Sequence, residues 1–305
     1  MDIRSCIANQ NHMLMEGALG ERLKREYQLD FDEQVAMAKL VYTEGGRSAL
    51  RKIWKEYMDI AHKYELPFLA TTPTRRANKE RVERAGCHSS VILDNVRFLR
   101  EIRQESPIEM YVGGLMGCKG DAYTGEDALS EKDARVFHKW QADLFRAAEA
   151  DFLYAGIMPA LPEAAGMAQA MSETGLPYII SFTIQKDGKL IDGTAISDAI
   201  AYIDRSVDVQ PMCYMTNCVH PSIVYEALSQ PFNRTALVKS RFLGIQANTS
   251  PLPYAQLDHS VDLKCSEPAE FAEAMLMLRR ISSINIWGGC CGTDGRHMEQ
   301  VALRL

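Results

Sequence analysis

Short apolar runs alternate with longer helical segments along this sequence, and that alternation constrains its fold more than any other feature. The runs have strand length, and eight are expected to form strands: Met13–Met15, Pro67–Thr71, Glu109–Gly113, Asp151–Ala155, Tyr178–Thr183, Met212–Thr216, Phe242–Gln246 and Ile284–Trp287. Three intervening segments repeat apolar residues at helical spacing: Glu126–Ala150, Pro162–Thr174 and Pro268–Ile281. Strands joined through helices pair in parallel by right-handed crossovers.

Eight such units predict an α/β protein, a single (β/α)₈ TIM-type barrel that spans residues 1–305 as one domain. A chain of 305 residues, 47% of them hydrophobic, is long enough to bury one large core. An open, doubly wound sheet is the alternative architecture, because the first strand is only weakly marked.

Charge and composition exclude several classes of function. The net charge is -6 and no basic run is present, so nucleic acid is not an expected partner. No apolar stretch approaches the ~20 residues of a membrane span, and Met1 to Gln10 lacks the apolar core of a secretory signal. The eight cysteines show no compact disulfide spacing, which predicts a reducing, cytoplasmic location. None of these features predicts an oligomeric state.

Three cysteines follow strands that the barrel would place on one rim. Cys218 comes after the sixth predicted strand, and Cys290 and Cys291 come between glycines after the eighth. Barrels of this type build their active sites at the carboxyl ends of the strands. The sequence therefore predicts that these three thiols share one site.

Three thiolates are suited to bind Zn²⁺ and to leave one coordination position open. Such an electron-rich zinc favours binding a substrate thiol as a thiolate, which makes alkyl transfer to sulfur by in-line displacement the expected reaction. The adjacent pair Cys290 and Cys291 alone is also consistent with a strained disulfide or with two buried bystanders. His220 is interpreted as a loop or helix-start residue rather than a fourth ligand, and Cys213 as a core residue.

The motifs around these cysteines resemble those of the homocysteine S-methyltransferase family, a zinc-binding barrel family. The resemblance runs from about Met13 to the C-terminus. Its motifs are Gly289-Cys290-Cys291-Gly292-Thr293, Asn217-Cys218 followed by Pro221, the turn Gly17-Ala18-Leu19-Gly20-Glu21, Pro159, Glu163-Ala164, Ser181-Phe182 and Asp192-Gly193-Thr194. It implies an S-methyltransferase of methionine biosynthesis that binds Zn²⁺ through Cys218, Cys290 and Cys291 and methylates a zinc-bound thiol, with homocysteine as the leading acceptor.

The expected substrate-binding residues are Glu16, Gly17, Gly156 and Asn217, and two of them depart from the family pattern. Glu16 stands where the family usually has an aspartate, and Gly156 stands where it usually has a glutamate; these two acids are expected to hold the amino group of homocysteine. The family's Thr-Asn-Thr-Tyr run is replaced by Thr72-Pro73-Thr74-Arg75. Two interpretations remain open. Either Glu16 alone reaches an ammonium, or the acceptor has another charge pattern and Arg75 or Arg76 faces an acidic substrate.

The resemblance favours a small sulfonium donor, S-methylmethionine or S-adenosylmethionine, and betaine is the next choice. An ammonium donor would need an aromatic cage, for which Trp54, Tyr123 and Tyr254 are candidates. Other hypotheses are a methyltransferase for a different thiol or selenol, a non-catalytic zinc- or thiol-binding protein, and a redox protein that uses Cys290 and Cys291.

Overall fold

The computed structural model describes residues 2–9, 12–251 and 266–305. Its strands are β1 (Met13–Met15), β2 (Phe68–Thr71), β3 (Met110–Gly117), β4 (Phe152–Met158), β5 (Tyr178–Phe182), β6 (Cys213–Val219), β7 (Phe242–Ala247) and β8 (Ile286–Gly289). Each pairs in parallel with its sequence neighbours, and β1 also pairs with β8, which closes the barrel. This confirms the predicted (β/α)₈ fold. The candidate cage residue Tyr254 and the remaining cysteine, Cys265, lie outside the described residues.

Helices follow the strands and pack on the outside of the barrel. They are α1 (Ile3–Asn9), α2 (Gly20–Tyr27), α3 (Glu44–Lys63), α4 (Lys79–Arg84), α5 (Ser90–Gln104), α6 (Glu131–Ala147), α7 (Leu161–Ser172), α8 (Ile196–Ser206), α9 (Pro221–Ser229), α10 (Ala236–Arg241), α11 (Pro268–Met277) and α12 (Gly295–Ala302). Several begin at residues suited to satisfy free amide groups: the Thr43 hydroxyl accepts a bond from the Gly46 amide at α3, and Ser130 accepts one from Asp133 at α6. None of the described helices is both long and apolar enough to cross a membrane.

The strands are buried on both faces. Side chains such as Met15, Tyr154 and Met215 point inward and form one apolar cluster in the barrel, whereas Leu14, Leu153 and others point outward against the helices. Helix α1 adds to the inner cluster through Ile3, Cys6 and Ile7. This helix therefore covers one end of the barrel, and it contacts β3 and the segment before β8 rather than the cysteines at the carboxyl ends.

Strands β3, β4, β6, β7 and β8 extend further toward their carboxyl ends than predicted, whereas β1 and β2 end as predicted and β5 ends one residue earlier. β3 continues through Gly113 and Gly114 to Gly117, and β4 continues to Met158. Cys218 was predicted to follow the sixth strand, but it lies within β6. The apolar run ends before Asn217, yet the backbone goes on pairing with β7 as far as Val219.

Candidate functional site

Three cysteine thiols meet at the carboxyl end of the barrel. Cys218 is the penultimate residue of β6, and Cys290 and Cys291 directly follow β8. The Sγ atoms of Cys218 and Cys290, 72 positions apart in sequence, are 2.8 Å apart. The Cys291 thiol also bonds to Cys218. Cys218 and Cys290 are half-buried, whereas Cys291 is exposed. The structure thus brings together the three cysteines that the sequence singled out.

The turn that carries Cys290 and Cys291 is fixed by the ends of β1 and β7. The Cys290 amide donates to the Ala247 carbonyl oxygen at 2.7 Å, and the Cys291 amide donates to Oδ1 of Asn248 at 3.1 Å. The Thr293 hydroxyl donates to the Cys290 carbonyl oxygen at 2.6 Å and accepts a bond from the Ala18 amide. Because residues after β1 and at the end of β7 hold the turn from both sides, the thiols of Cys290 and Cys291 have little freedom to move apart.

Gly292 allows the turn to reverse directly after the cysteines. Its φ is +83°, in the left-handed region that glycine favours. A Cβ atom there would also lie 2.0 Å from Oγ1 of Thr249. The glycine after the cysteine pair is therefore required by both backbone angle and space.

Asn217 ties three neighbouring strands together beside the thiols. Its Oδ1 accepts bonds from the Ser181 hydroxyl at 2.6 Å and from the Ile157 amide at 3.1 Å. Both Ile157 and Cys218 have positive φ, +61° and +60°, where the parallel register shifts. Such strained conformations in residues other than glycine persist only when surrounding contacts enforce them, and they concentrate at functional sites. Asn217 thus positions Cys218 rather than merely filling the core.

Hydrogen bonds within the cluster concentrate negative charge on Cys218. Bonds from the Cys290 and Cys291 thiols lower the pKa of Cys218 well below its usual value, despite burial. The bond to Cys218 raises the pKa of Cys290 well above its usual value and that of Cys291 to about 12. Within the cluster, Cys218 is therefore the thiol that loses its proton most readily. A divalent cation bound there would displace the protons that remain on the thiols.

A cavity of about 240 Å³ opens over the thiols. That volume lies below the roughly 300–1,000 Å³ usual for pockets of drug-sized ligands, so it suits small molecules. Its lining is contributed by residues of β2, β3, β4, β6, β7 and β8, together with the segments that follow β1, β2, β3 and β8. The cavity lining includes Glu16, Gly17, Thr71, Arg75, Leu115, Tyr123, Tyr154, Ile157, Asn217, Cys218, Gln246, Cys290 and Cys291.

Glu16 places a carboxylate in this cavity without a cation to balance it. The side chain is buried, with 5% of its surface exposed, and the described residues include no ion-pair partner for it. Its Oε1 accepts the Thr71 hydroxyl at 2.5 Å and the Thr71 amide at 3.1 Å. Burial raises the pKa of Glu16 to about 7, and the Thr71 bonds only partly oppose that shift. A cationic group on a ligand would stabilise the ionised carboxylate.

The raised pKa of Glu16 predicts a pH-dependent effect of the Glu16→Gln substitution. The folded protein binds this proton more tightly than the unfolded chain does, so the contribution of Glu16 to stability falls as pH rises from about 4.5 through 7. Above pH 7 the ionised group costs about 3 kcal/mol. We expect the free energy of unfolding of Glu16→Gln to exceed that of the wild type by up to this amount at pH 8. The difference should shrink toward pH 5. Urea unfolding without ligand measures it at each pH.

Glu226→Gln provides the matched control, because Glu226 is solvent-exposed on α9. The difference in free energy of unfolding between Glu226→Gln and the wild type should be the same from pH 5 to 8. A Glu16→Gln difference that is equally constant from pH 5 to 8 would show that the carboxylate is not raised in pKa.

The other expected substrate contacts are only partly at the cavity surface. Gly17 and Asn217 line the cavity together with Glu16. Gly156 does not appear in the lining, although the next residue, Ile157, does. A Cβ atom on Gly156 would lie 2.7 Å from Cδ1 of Leu115, so a leucine from β3 covers this position.

Of the aromatic residues proposed for a donor cage, the structure places one at the cavity and one elsewhere. Tyr123 lines the cavity, and its hydroxyl bonds to Cys218. The prediction for Trp54 is wrong: its ring is fully buried in the core, against Phe98. The sequence signal that Trp54 faces the core is the helical spacing of the apolar residues in the segment that forms α3.

Sequence reasoning missed a buried polar pair in the cavity wall. The Tyr154 hydroxyl donates to Oε1 of Gln246 at 2.8 Å, and both residues line the cavity. Tyr154 lies on β4 and Gln246 on β7, so only the closed barrel brings them together. The one available signal was Gln246, the polar residue at the end of the run Phe242–Gln246.

His220 starts α9 as predicted. Its Nδ1 accepts a bond from the Ser222 amide at 3.2 Å, which satisfies a free helix amide.

The cysteine donor set suits zinc chemically, although its spacing is not that of a formed metal site. Two sulfurs on one tetrahedral zinc, each with a bond of about 2.3 Å, are about 3.8 Å apart. The Cys218 and Cys290 sulfurs, at 2.8 Å, are closer than that and farther apart than the ~2.05 Å of a disulfide. No group of three or more His, Cys, Asp or Glu side chains in the described ranges has the spacing of a metal site. The Cys218 and Cys290 sulfurs would have to separate by about 1 Å for both to bind one zinc ion.

Comparison with known proteins connects this site to a family. The family model described as homocysteine S-methyltransferase matches residues 13–305. The crystal structure of the homocysteine methyltransferase MmuM from Escherichia coli, in its oxidized form, matches with a TM-score of 0.77 at 20% sequence identity. The metallated form gives 0.77 and the apo form 0.69, both at 19% identity. Each match covers 99% of both chains. No curated protein matches the sequence significantly. At these identities the structural likeness establishes the barrel fold.

Proposed function

The chain belongs to the homocysteine S-methyltransferase family, and from that premise we propose that it transfers a methyl group from a small donor to a thiol held at Cys218, Cys290 and Cys291. Homocysteine, giving methionine, is the proposed acceptor. One observation carries the proposal: three thiols converge on the floor of a cavity whose wall contains a buried carboxylate with no cation partner among the described residues. We assign this activity to residues 1–305 as one domain, acting in the cytoplasm.

Cys218, Cys290 and Cys291 would hold one Zn²⁺ between them. When bound, zinc would hold the acceptor thiol as a nucleophilic thiolate at neutral pH. The lowered pKa of Cys218 supports this assignment, because zinc binds the deprotonated form of cysteine. Support also comes from MmuM, for which a crystal structure of a metallated form exists.

Glu16 would bind and orient the ammonium group of the acceptor. A buried carboxylate without a partner is costly, and an ammonium at hydrogen-bond distance would offset that cost. The Thr71 amide and hydroxyl hold both carboxylate oxygens on one side, which leaves the remaining lone pairs for the substrate. Asn217 fixes the backbone from which Cys218 extends, so the distance between the ammonium and thiol positions is set by the barrel.

The reaction would be an in-line displacement. The acceptor sulfur forms a bond to the methyl carbon as the bond from that carbon to the donor heteroatom breaks, and the leaving group takes the electron pair. Donor and acceptor must therefore face each other across the cavity, which Tyr123, Tyr154 and Leu115 line with largely apolar surface. We propose a sulfonium donor, S-methylmethionine or S-adenosylmethionine, with betaine next, because aromatic faces stabilise such cations.

Recognition of the acceptor's amino group tests this proposal. The matched ligand is 4-mercaptobutyrate, which has the thiol and carboxylate of homocysteine but lacks the ammonium. We expect zinc-loaded wild type to bind homocysteine about 10- to 100-fold more tightly by calorimetry, as a hydrogen bond to a charged group predicts. Glu16→Gln should bind the two thiols about equally.

Transfer itself is measured separately, as methionine formed from homocysteine with each donor. Stoichiometric zinc in the reduced protein together with no transfer from any donor would favour a non-catalytic zinc- or thiol-binding protein. Absence of zinc with a Cys290–Cys291 disulfide would favour a redox protein. No response to homocysteine beside binding of another thiol or selenol would replace homocysteine as the acceptor.

A further inference from the structure

Arg75 brings a positive charge to the same cavity that contains Glu16 and the thiols. It lies in the segment between β2 and α4, is half-buried and lines the cavity with Cys218. Among the described residues it has neither an ion-pair partner nor a side-chain hydrogen bond. A half-buried guanidinium with five donors and no acceptor is suited to bind a ligand anion.

The backbone leading to Arg75 is held rigidly. The Thr72 amide donates to the Gly113 carbonyl oxygen at 2.9 Å, and the Thr74 hydroxyl donates to the Leu115 carbonyl oxygen at 2.9 Å. Nε2 of buried Gln141 donates to the Thr74 carbonyl oxygen at 3.1 Å. The residue before Arg75 is thus tied to β3 and α6, which places the arginine without a large loss of freedom on binding.

Gly117 makes room for the Arg75 side chain. A Cβ atom on Gly117 would lie 2.6 Å from Cγ of Arg75, so the stem of the arginine packs directly on this glycine. Gly117 pairs with Gly156 in the parallel register of β3 and β4. Neither glycine supplies a carboxylate to Arg75, whose charge acts on the Cys218 thiol and on Asp121 without an ion pair to either.

More positive charge surrounds this side of the cavity. Arg76 is exposed beside Arg75, and Arg81 and Arg84 lie on the adjacent helix α4. None of these arginines forms an ion pair within the described part of the chain, and their charges together lower the pKa of Arg81, after its burial. The acidic residue Asp121 is nearby, but its carboxylate accepts the Tyr123 and Thr124 amides. In a protein of net charge -6, this is a local basic surface.

We propose that Arg75 is a specificity-determining residue that binds a carboxylate of a small substrate whose reacting atom lies at the cysteine cluster. The inference rests on the proposed function only in naming that substrate as acceptor or donor. With Glu16 binding an ammonium, a carboxylate at Arg75 selects a zwitterionic thiol. The same guanidinium could instead receive a carboxylate of the methyl donor, and the two sources are separable by matched ligands.

The acceptor arm compares homocysteine with 3-aminopropanethiol, which lacks only the carboxylate. Binding to the zinc-loaded full chain is measured by calorimetry. We expect the wild type to prefer homocysteine by about 10- to 100-fold, the range for a hydrogen bond to a charged group. In Arg75→Met, which keeps the packing stem, the preference should fall below about threefold. Arg75→Lys should restore part of it, because it returns the charge but not the planar fork.

The donor arm uses dimethylsulfoniopropionate and the ethyldimethylsulfonium ion, which lacks its carboxylate, in the presence of bound homocysteine. If Arg75→Met abolishes the preference for dimethylsulfoniopropionate but leaves the preference for homocysteine unchanged, Arg75 binds the carboxylate of the donor. Arg76→Met, a change at the exposed neighbour, is the control and should leave both preferences as in the wild type. If Arg75→Met, folded by circular dichroism, alters neither ratio, the proposal is overturned. If the ratios change but no methyl transfer is seen, Arg75 keeps its role and the proposed reaction fails instead.

Discussion

The Cys290→Ala variant is expected to lose zinc binding and methyl transfer together. Structural zinc sites gain about 10–16 kcal/mol over four ligands, so one thiolate is worth about 3–4 kcal/mol, or about 10²- to 10³-fold in zinc affinity. Cys290 also donates a hydrogen bond to Cys218, so its removal raises the pKa of Cys218 back toward its usual value. Zinc content after dialysis against a chelator and methionine formation from homocysteine measure the two losses.

Cys87→Ala is the matched control for this experiment. Cys87 is half-buried, and its thiol bonds to the Ala85 carbonyl oxygen and to Lys39, neither of which lines the cavity. The control should keep both zinc and activity. Full activity in Cys290→Ala would refute the proposed mechanism. Loss of activity with normal zinc content would instead assign Cys290 a role in substrate placement.

The fold could be predicted from the sequence because apolar periodicity reflects burial, and burial is what a barrel strand shares with its neighbours. The strand ends could not be predicted in the same way. The third predicted strand ended at Gly113, but β3 continues through Gly114 to Gly117. Phe152 and Phe145 pack where the side chains of Gly113 and Gly114 would be. Such close packing is a property of the assembled barrel, and single-strand patterns do not contain it.

The residues of the candidate site also differ in whether the sequence alone could identify them. Cys218, Cys290 and Cys291 were recognisable because thiols at strand ends are rare and chemically specific. Tyr154 and Gln246 were not, because their contact joins two strands that are 92 residues apart in sequence. Glu16 was visible as a carboxylate after the first strand, but its lack of a cation partner is a fact of the folded cavity.

The charged residues of the acceptor pocket could be identified from the sequence, but their spatial relation could not. The sequence identified Gly156 and Arg75 as departures from the family pattern without indicating a relation between them. The structure relates them through Gly117, which pairs with Gly156 and packs against Arg75. A change in one wall of the pocket therefore involves neighbouring positions of β3, β4 and the segment after β2.

One further family signpost, Glu163, has a structural role that the sequence did not specify. Its side chain is fully buried on α7, and its Oε1 accepts the Lys119 amide at 2.7 Å and bonds to Nε2 of His138 at 3.0 Å. Oε2 accepts the Leu129 amide at 3.3 Å. Burial lowers the pKa of His138, so its ring is neutral at pH 7 and donates to the carboxylate. Glu163 thus fastens both ends of the segment between β3 and α6, the segment that brings Tyr123 to the cavity.

Glu163→Ala is therefore expected to destabilise the protein by about 3–5 kcal/mol, because each buried donor left without an acceptor costs about 1–3 kcal/mol. The Lys119 and Leu129 amides and the His138 ring would all lose their acceptor inside the protein. Urea unfolding measures the loss. Hydrogen exchange should show that residues 118–130 lose protection first, and methyl transfer should fall in step because Tyr123 is no longer held over the thiols.

Glu173→Ala separates this effect from the loss of any acidic residue near α7. Glu173 follows the same helix, and its ion pairs with Arg135 and Lys139 are partly exposed, so its removal should cost less than about 1 kcal/mol. If Glu163→Ala were no more destabilising than Glu173→Ala, the segment would have to be held by its own turn, in which the Asp121 carboxylate accepts two amides. Tyr123 would then reach the cavity without support from α7. A large loss confined to Glu163→Ala shows instead that a buried carboxylate remote from the thiols determines whether the wall facing them is formed.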